Sequence, residues 1–594
     1  MDTNVLYWGD NLPILRNKDY FPDESVDLVY LDPPFNSNAS YNVLFKEATG
    51  APSTAQAEAF KDTWHWDDAT DKTWADLHDT APKRVVDALE AFQKIIVLQE
   101  GRFAHNDMMA YLVMMTARLL ELHRILKSTG SLYLHCDPTA SHYLKIILDT
   151  IFGATNFRNE IVWRRTASHN QAKRYGPIHD TIHFYSKTDK YYFKPNFRPV
   201  TKGHVEEYFT KEDTGGKFWT NALTGAGTRR GESGQPWRGY DPTERGRHWA
   251  VPGGLCLTLG IDDSLPLQEK LETLYQQGFI DLPPKDSRAM PTFRQHLGDN
   301  PGIPYQDIWA YQPHTRGVLY GTEEAIDEDV RWIQRQRGAG GNSERTGYQT
   351  QKPLGILNRI IQCSAPPEGI VLDPFCGCGT AVLAAHKLNR RWIGIDVTIL
   401  AVNVMKQRLE EAFPDLKGKY RVVGEPTTLS EAQSMISPDA TLETRYQFQY
   451  WALGLVGARP AAANRKKGAD AGVDGYFSLV HSSDGKKETY IQVIVQVKSG
   501  HVGANLIRDL AGTVGNDKLG LFITLEEPTE PMKAAALAAG LYLNPLMNTH
   551  HPRIQIMTIA ELLDGKSPNL PPHRPGWERG SYIGQRIQQG TLLT

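Results

Sequence analysis

Residues 26–31, VDLVYL, form a short, largely apolar run that stops at Asp32-Pro33-Pro34. Two prolines cannot continue a hydrogen-bonded ladder, so the spacing predicts a buried strand closed by a loop. Residues 107–127 carry helical apolar spacing and stop at Ser128-Thr129-Gly130, and SLYLHCD (131–137) alternates directly afterwards. Strand, helix and strand in this order predict a parallel α/β sheet. PPEGIVL (366–372) then runs into DPFCGCGT, and WIGID (392–396) reads as a further strand. Ligands bind at the carboxyl ends of strands in such sheets, so the acids at those ends become candidate site residues.

At 594 residues the chain has room for roughly two to four domains. Apolar residues make up 40% and charged residues 22%, which excludes a disordered or fibrous chain. The net charge of −3 excludes a uniformly basic nucleic-acid coat, so any DNA contact must use local positive charge. Such a region exists: residues 151–250 hold 17 Lys/Arg against 10 Asp/Glu. Tyr191, Tyr192, Phe193, Trp219, Trp237 and Trp249 are interleaved there. This is the footprint of a nucleic-acid contact surface, or else of an insertion whose aromatics form a small core of their own. Five cysteines, Cys136, Cys256, Cys363, Cys376 and Cys378, make no disulfide framework and no paired zinc spacing, and a reducing cytoplasmic setting fits. No signal peptide and no apolar run long enough for a membrane span is expected.

The exocyclic amine of a nucleobase is a poor nucleophile because its lone pair is delocalised into the ring. Acceptors at Asp32 and the Pro33 carbonyl would take its hydrogens and aim a lone pair at an electrophile. Phe35 could stack on the base, worth roughly 1–3 kcal/mol. The ordinary alternative is a plain strand-to-loop turn. In VLDPFCGCGT (371–380), Gly377 and Gly379 allow close approach of a ligand to the backbone, and a helix starts near Thr380. Asp373 precedes the loop, and Asp396 ends the next strand, where an acid can bind ribose hydroxyls. That spacing also suits a nicotinamide dinucleotide, but the loop lacks the third glycine of GxGxxG.

Together these strings resemble the S-adenosylmethionine-dependent amino-group DNA methyltransferases. In that family DPPF is the catalytic motif and DPFxGxGT the cofactor motif. Catalytic motif, long insertion, then cofactor motif is the β-class order. RLLELHRILKSTGSLYLHCD (118–137), HDTIHFYSK (179–187) and YQTQKP (348–353) follow in the family's order. The resemblance implies a Rossmann-like α/β fold over 1–425, with a target-recognition insertion at about 155–345. It implies catalysis by Asp32, Pro33, Pro34 and Phe35, with no metal and no covalent intermediate. It implies S-adenosylmethionine contacts at Asp10, Lys352, Asp373, Phe375, Gly377, Gly379, Thr380 and Asp396, with Lys352 on the methionine carboxylate. An initial Asp in the motif implies adenine rather than cytosine, with double-stranded DNA as substrate and the target base flipped out of the stack.

Residues 426–441 lack periodicity and read as a linker. A helix is predicted at 442–456, strands near 475–480 and 490–498, a helix at 503–513 and a strand at 519–524, which makes a second, smaller α/β unit. GADAGVDG (468–475) places Asp474 at a strand start, and Gln496 and Lys498 share one face of YIQVIVQVK (490–498). An acid, a polar group and a lysine at adjacent strand ends suit magnesium-assisted phosphodiester hydrolysis. Separately, GVDG is commonly a turn, and a strand-end lysine commonly faces water. The pair GxDG and QxK resembles the Mrr-like PD-(D/E)xK restriction endonucleases over about 442–565. That resemblance implies catalysis by Asp474, Gln496 and Lys498 and metal ligation by Asp474 and an acid of the first helix. Glu443 is the candidate acid, with Phe448-Gln449 as an alternative pair in which Gln replaces it. The tail, 566–594, is rich in Pro and Gly.

The sequence therefore points to an adenine methyltransferase joined to a restriction-type nuclease. The alternative is a solitary methyltransferase whose C-terminal unit only binds DNA. A homodimer is compatible with either. No GxxxxGK[ST] motor loop is present.

Overall fold

The computed structural model describes residues 1–34, 39–46, 52–62, 66–100, 107–166, 173, 175–251, 256, 260–262, 264–298, 300, 302–311, 318–331, 350–461, 472–483 and 488–571. It divides into two compact units, the first comprising 1–194, 307–309 and 329–594, the second 195–306 and 310–328.

Nine strands of the first unit make one sheet. They are β1 (Val5–Trp8), β2 (Val26–Leu31), β3 (Leu126–Cys136), β4 (Phe157–Arg164), β5 (His179–Ser186), β6 (Ile308–Trp309), β7 (Ile370–Asp373), β8 (Arg391–Asp396) and β9 (Arg421–Val423). Their order is β6-β4-β5-β3-β2-β7-β8-β1-β9. All neighbours are parallel except those of β5, which runs antiparallel to β3 and β4. VDLVYL is β2 and is buried at every position. Leu28 and Tyr30 enter one apolar cluster and Val29 and Leu31 another, because successive side chains of a strand point to opposite faces. Both faces are covered, by α1 (Asn11–Arg16), α2 (Asp107–Ile125), α3 (Pro138–Phe152), α4 (Leu354–Ser364), α5 (Thr380–Lys387) and α6 (Ile399–Ala412) among others. Asp10, Asp137 and Thr398 cap α1, α3 and α6 by accepting backbone N–H groups of the first turn.

Two expectations change. Residues 155–194, read with the insertion, contribute β4 and β5 to the sheet, and the second unit begins at 195. Residues 426–441, read as a linker, contain a helix at Leu429–Ser434, held by a capping box between Thr428 and Glu431. Ala432 and Met435 are buried there, but six residues are too few to show a period.

The second unit carries a four-stranded antiparallel sheet ordered 280–281, 292–296, 216–222, 211–213 and the helix Leu267–Gln276. Trp237 and Trp249 are buried in its core with Leu271, Leu274 and Phe293. The ordinary reading therefore holds for those two tryptophans: they pack the unit and are not presented to a ligand.

After α7 (Leu442–Leu455) come β10 (Arg459–Pro460), β11 (Gly475–Ser483), β12 (Glu488–Lys498), α8 (Ala504–Val514), β13 (Lys518–Thr524), α9 (Glu530–Ala538) and β14 (Ile554–Thr558). The strands form a sheet in chain order, antiparallel up to β12 and parallel from there. Ile494 of β12 faces the cluster built on α8 and α9, and Val493, Val495 and Val497 face the other way. On that second side Phe448 and Trp451 of α7 join the cluster containing Met405 and Leu409 of α6. The C-terminal module therefore shares a continuous apolar core with the larger sheet. Among the described residues, no helix is long and apolar enough to cross a membrane.

Candidate active sites

The C-terminal ends of β1, β2, β7 and β8 lie side by side and enclose a cavity of about 400 Å³. Asp10, Asp32, Pro34, Lys352, Asp373, Phe375, Gly377, Thr380 and Asp396 all line it. The structure thus brings together residues from five separate stretches of sequence. Phe35 lies outside the described residues. Gly379 is not on the wall. It is left-handed (φ +76°) at the N-cap of α5, and a β-carbon there would run into Met405. Its smallness lets the loop pack on α6.

At the ends of β7 and β8, the Asp373 carboxylate is buried and that of Asp396 is half-buried. Burial pushes Asp396 up to about 6, although Thr398 and the Gly377 N–H donate to it and oppose the shift. Gly377 N donates to Oδ2 at 2.8 Å, and Thr398 N and Oγ1 donate to Oδ1 at 2.9 Å each. Burial also pushes Asp373 well above the carboxylate range; the Phe375 N–H opposes this, and the charges of Asp32 and Asp396 add to it. Asp32 differs from both. Lys352, itself buried, donates to Asp32 Oδ2, while Oδ1 is buried with no hydrogen-bond partner. The sequence reading expects Lys352 on a ligand carboxylate; the structure places its ammonium on Asp32.

Three wall residues stand in or beside the quoted strings but were not singled out from sequence. Asn11 donates to the Pro374 carbonyl at 2.7 Å. Arg118 of α2 donates to Asp10 Oδ1 at 2.7 Å and to Asn11, which locks the β1 loop against the Asp373 loop. Tyr30, two residues before Asp32 and so on the same side of β2, meets His135 Nδ1 at 3.1 Å. His135 Nε2 in turn meets Asp180 at 3.2 Å. His135 and Asp180 do stand in the two strings SLYLHCD and HDTIHFYSK, but only the β3–β5 pairing brings them together.

The second constellation also assembles. Asp474 Oδ2 accepts from Val497 N at 2.8 Å and Lys498 Nζ at 3.2 Å. Its Oδ1 accepts from Gln449 Nε2 at 2.8 Å. Gln496 is buried one strand position away from this cluster, over Gly472. Of the two first-helix alternatives, Gln449 is the one seen on Asp474; Glu443 lies in the first turn of α7, and its side chain is outside the described residues. No group of three or more His, Cys, Asp or Glu suited to a metal ion occurs among the described residues.

Known proteins agree with this division. The DNA methylase family model matches residues 26–407, more than half of the chain, and the chain belongs to that family. A restriction endonuclease family model matches residues 444–551. The type II methyltransferase M.EcaI of Enterobacter cloacae is 30% identical over 317 residues, covering 52% of this chain and 60% of that protein. The Mod subunit of the type III restriction-modification enzyme StyLTI of Salmonella typhimurium is 25% identical over 394 residues, covering 65% of this chain and 50% of that protein. The chain thus spans half to three-fifths of the length of these relatives. Among solved structures, the cytosine-N4-specific PvuII DNA methyltransferase is 12% identical, covers 71% of this chain and 97% of its own, and has a TM-score of 0.28. At that score the likeness adds no detail to the strand order above.

Proposed function

We propose that the chain is a site-specific DNA methyltransferase acting on the exocyclic amine of adenine, with a restriction-type nuclease module at its C-terminus. One observation carries the reading. Asp32 Oδ1 is buried without a partner on the wall of the same cavity that holds the glycine loop and Asp396. An orphaned buried acceptor asks for a donor, and an amino group supplies one. S-adenosylmethionine would supply the electrophilic methyl group. The chain's residues fit it: Asp396 can accept ribose hydroxyls, and the loop at Gly377 allows close backbone approach. Asp32 and the Pro33 carbonyl would hold the two amine hydrogens and turn the nitrogen lone pair outward. The flipped base would need the water-poor pocket that Tyr30 and Pro34 help to wall. The test is Asp32→Ala. It should abolish methyl transfer to DNA while S-adenosylhomocysteine still binds; retained transfer would refute the assignment.

For the nuclease module, Lys498 and Asp474 would position a phosphodiester and an attacking water. The described residues hold no group of three or more metal-ligating side chains there, and Asp474 already accepts from Val497, Lys498 and Gln449, so they do not by themselves complete a magnesium site. Cutting both strands would call for two such modules, which a homodimer would bring together. Gln449 in place of an acid favours a second reading, in which the module binds DNA without cutting it. Magnesium-dependent scission of plasmid DNA by the purified chain separates the two.

A further inference from the structure

Asp32 sits in acidic company. Asp373, at the end of the neighbouring strand β7, and Asp396, at the end of β8, line the same cavity, and burial disfavours charge on both. The other titratable groups facing this space are the Tyr30 hydroxyl from β2, the Asp10–Arg118 ion pair from the β1 loop and α2, the Cys376 and Cys378 thiols of the glycine loop, and Lys352 from the segment before α4. Asp180 of β5 lies within the field of Lys352. Like charges crowded into a buried site do not all ionise, and an acid left there without a cation takes up a proton. A protonated Asp32 would present an O–H where the amine needs an acceptor. Of the cavity's cations, Arg118 is committed to Asp10, and Lys352 is the one bonded to Asp32. The pairing is also directional. It occupies Oδ2 and leaves Oδ1 without a partner.

We propose that Lys352 is a positioning residue for methyl transfer: its ammonium holds Asp32 as a carboxylate and turns Oδ1 toward the target amine. This rests on the methyl-transfer reading above, and it differs from a role in holding the cofactor's carboxylate. Two measurements test it, one of which needs no turnover. The first is infrared difference spectroscopy of the full-length apo protein at about pH 7.5. Lys352→Met compared with Lys352→Met/Asp32→Asn should show a protonated-carboxyl band assigned to Asp32. The wild type compared with Asp32→Asn should show none. The second is single-turnover methyl transfer against pH at saturating S-adenosylmethionine. Lys352→Met should lose about 100-fold near neutrality and recover at alkaline pH, its acidic limb moved up by at least about two units, as a loss of that size requires. Lys352→Arg should keep most of the wild-type rate and limb, because it restores the cation. Absence of the Asp32 band in Lys352→Met overturns the proposal. So does a tenfold or greater loss of cofactor affinity with an unmoved limb, which would assign Lys352 to the cofactor. A wild type that shows the expected infrared difference but transfers no methyl group would sink the functional reading and leave the Lys352–Asp32 relationship standing.

Discussion

The amide of Gln449 donates to Asp474 Oδ1 at 2.8 Å, so the first helix of the C-terminal module presents a donor where a metal site would need a second acid. Gln449→Glu replaces that donor by a carboxylate of nearly equal size. It should strengthen magnesium binding about tenfold, read by calorimetry, because two carboxylates repel until a cation joins them. If the native module cuts, Lys498→Ala should abolish strand scission and leave methyl transfer intact. Loss of both activities would contradict separable sites.

Desolvation pushes the Asp396 carboxyl up to about 6, against an ordinary value of 3.8. A carboxyl raised in this way binds a proton on folding between those values, so its burial weakens the apo fold as pH rises through about 6. On the proposed reading, Asp396 takes the ribose hydroxyls best as a carboxylate, so binding would expel that proton. Affinity for S-adenosylhomocysteine should be flat above about pH 6 and fall up to tenfold per unit below it. Calorimetry at about pH 5 and pH 7.5 checks this; equal affinities would contradict it.

Gly379 and Gly418 are both left-handed, at φ +76° and +73°, but only Gly379 has a neighbour, Met405, where a β-carbon would go. Gly418→Ala should cost about 1 kcal/mol for backbone conformation alone. Gly379→Ala should cost about 2–4 kcal/mol and weaken cofactor binding, since the Met405 side chain must move to make room. Urea unfolding of the two variants gives the comparison.

Trp451 is 2% exposed and joins the cluster that includes Met405 and Leu409. The Gln447 side chain also accepts the Ile399 N–H at 3.0 Å at the start of α6. The nuclease-like module should therefore unfold together with the methylase sheet. Trp451→Ala should lower one shared transition by about 3–5 kcal/mol. A variant whose C-terminal module melts separately, leaving the rest unchanged, would contradict the shared core.

The central strands were legible because β2, β7 and β8 are apolar on both faces and end at acids that the following loop isolates. The glycine loop was legible for the same local reason. What the sequence hid depends on long-range packing or on elements too short for a period. β6 has two residues and β9 three, and each is a strand only because a neighbour offers a ladder. Trp237 and Trp249 look like ligand-facing aromatics until the fold buries them against Leu271 and Leu274. Lys352 and Asp32 are 320 positions apart, and no spacing rule joins them. Gln449 was one of two alternatives, and it is the one whose side chain is seen on Asp474.

The most direct test of the whole account is to incubate the purified chain with labelled S-adenosylmethionine and unmethylated DNA, digest the DNA to nucleosides and identify the methylated base. The account predicts N6-methyladenine at a fixed site. N4-methylcytosine would correct the target base, and no label in any nucleoside, with cofactor bound and DNA in excess, would contradict the methyl-transfer assignment itself.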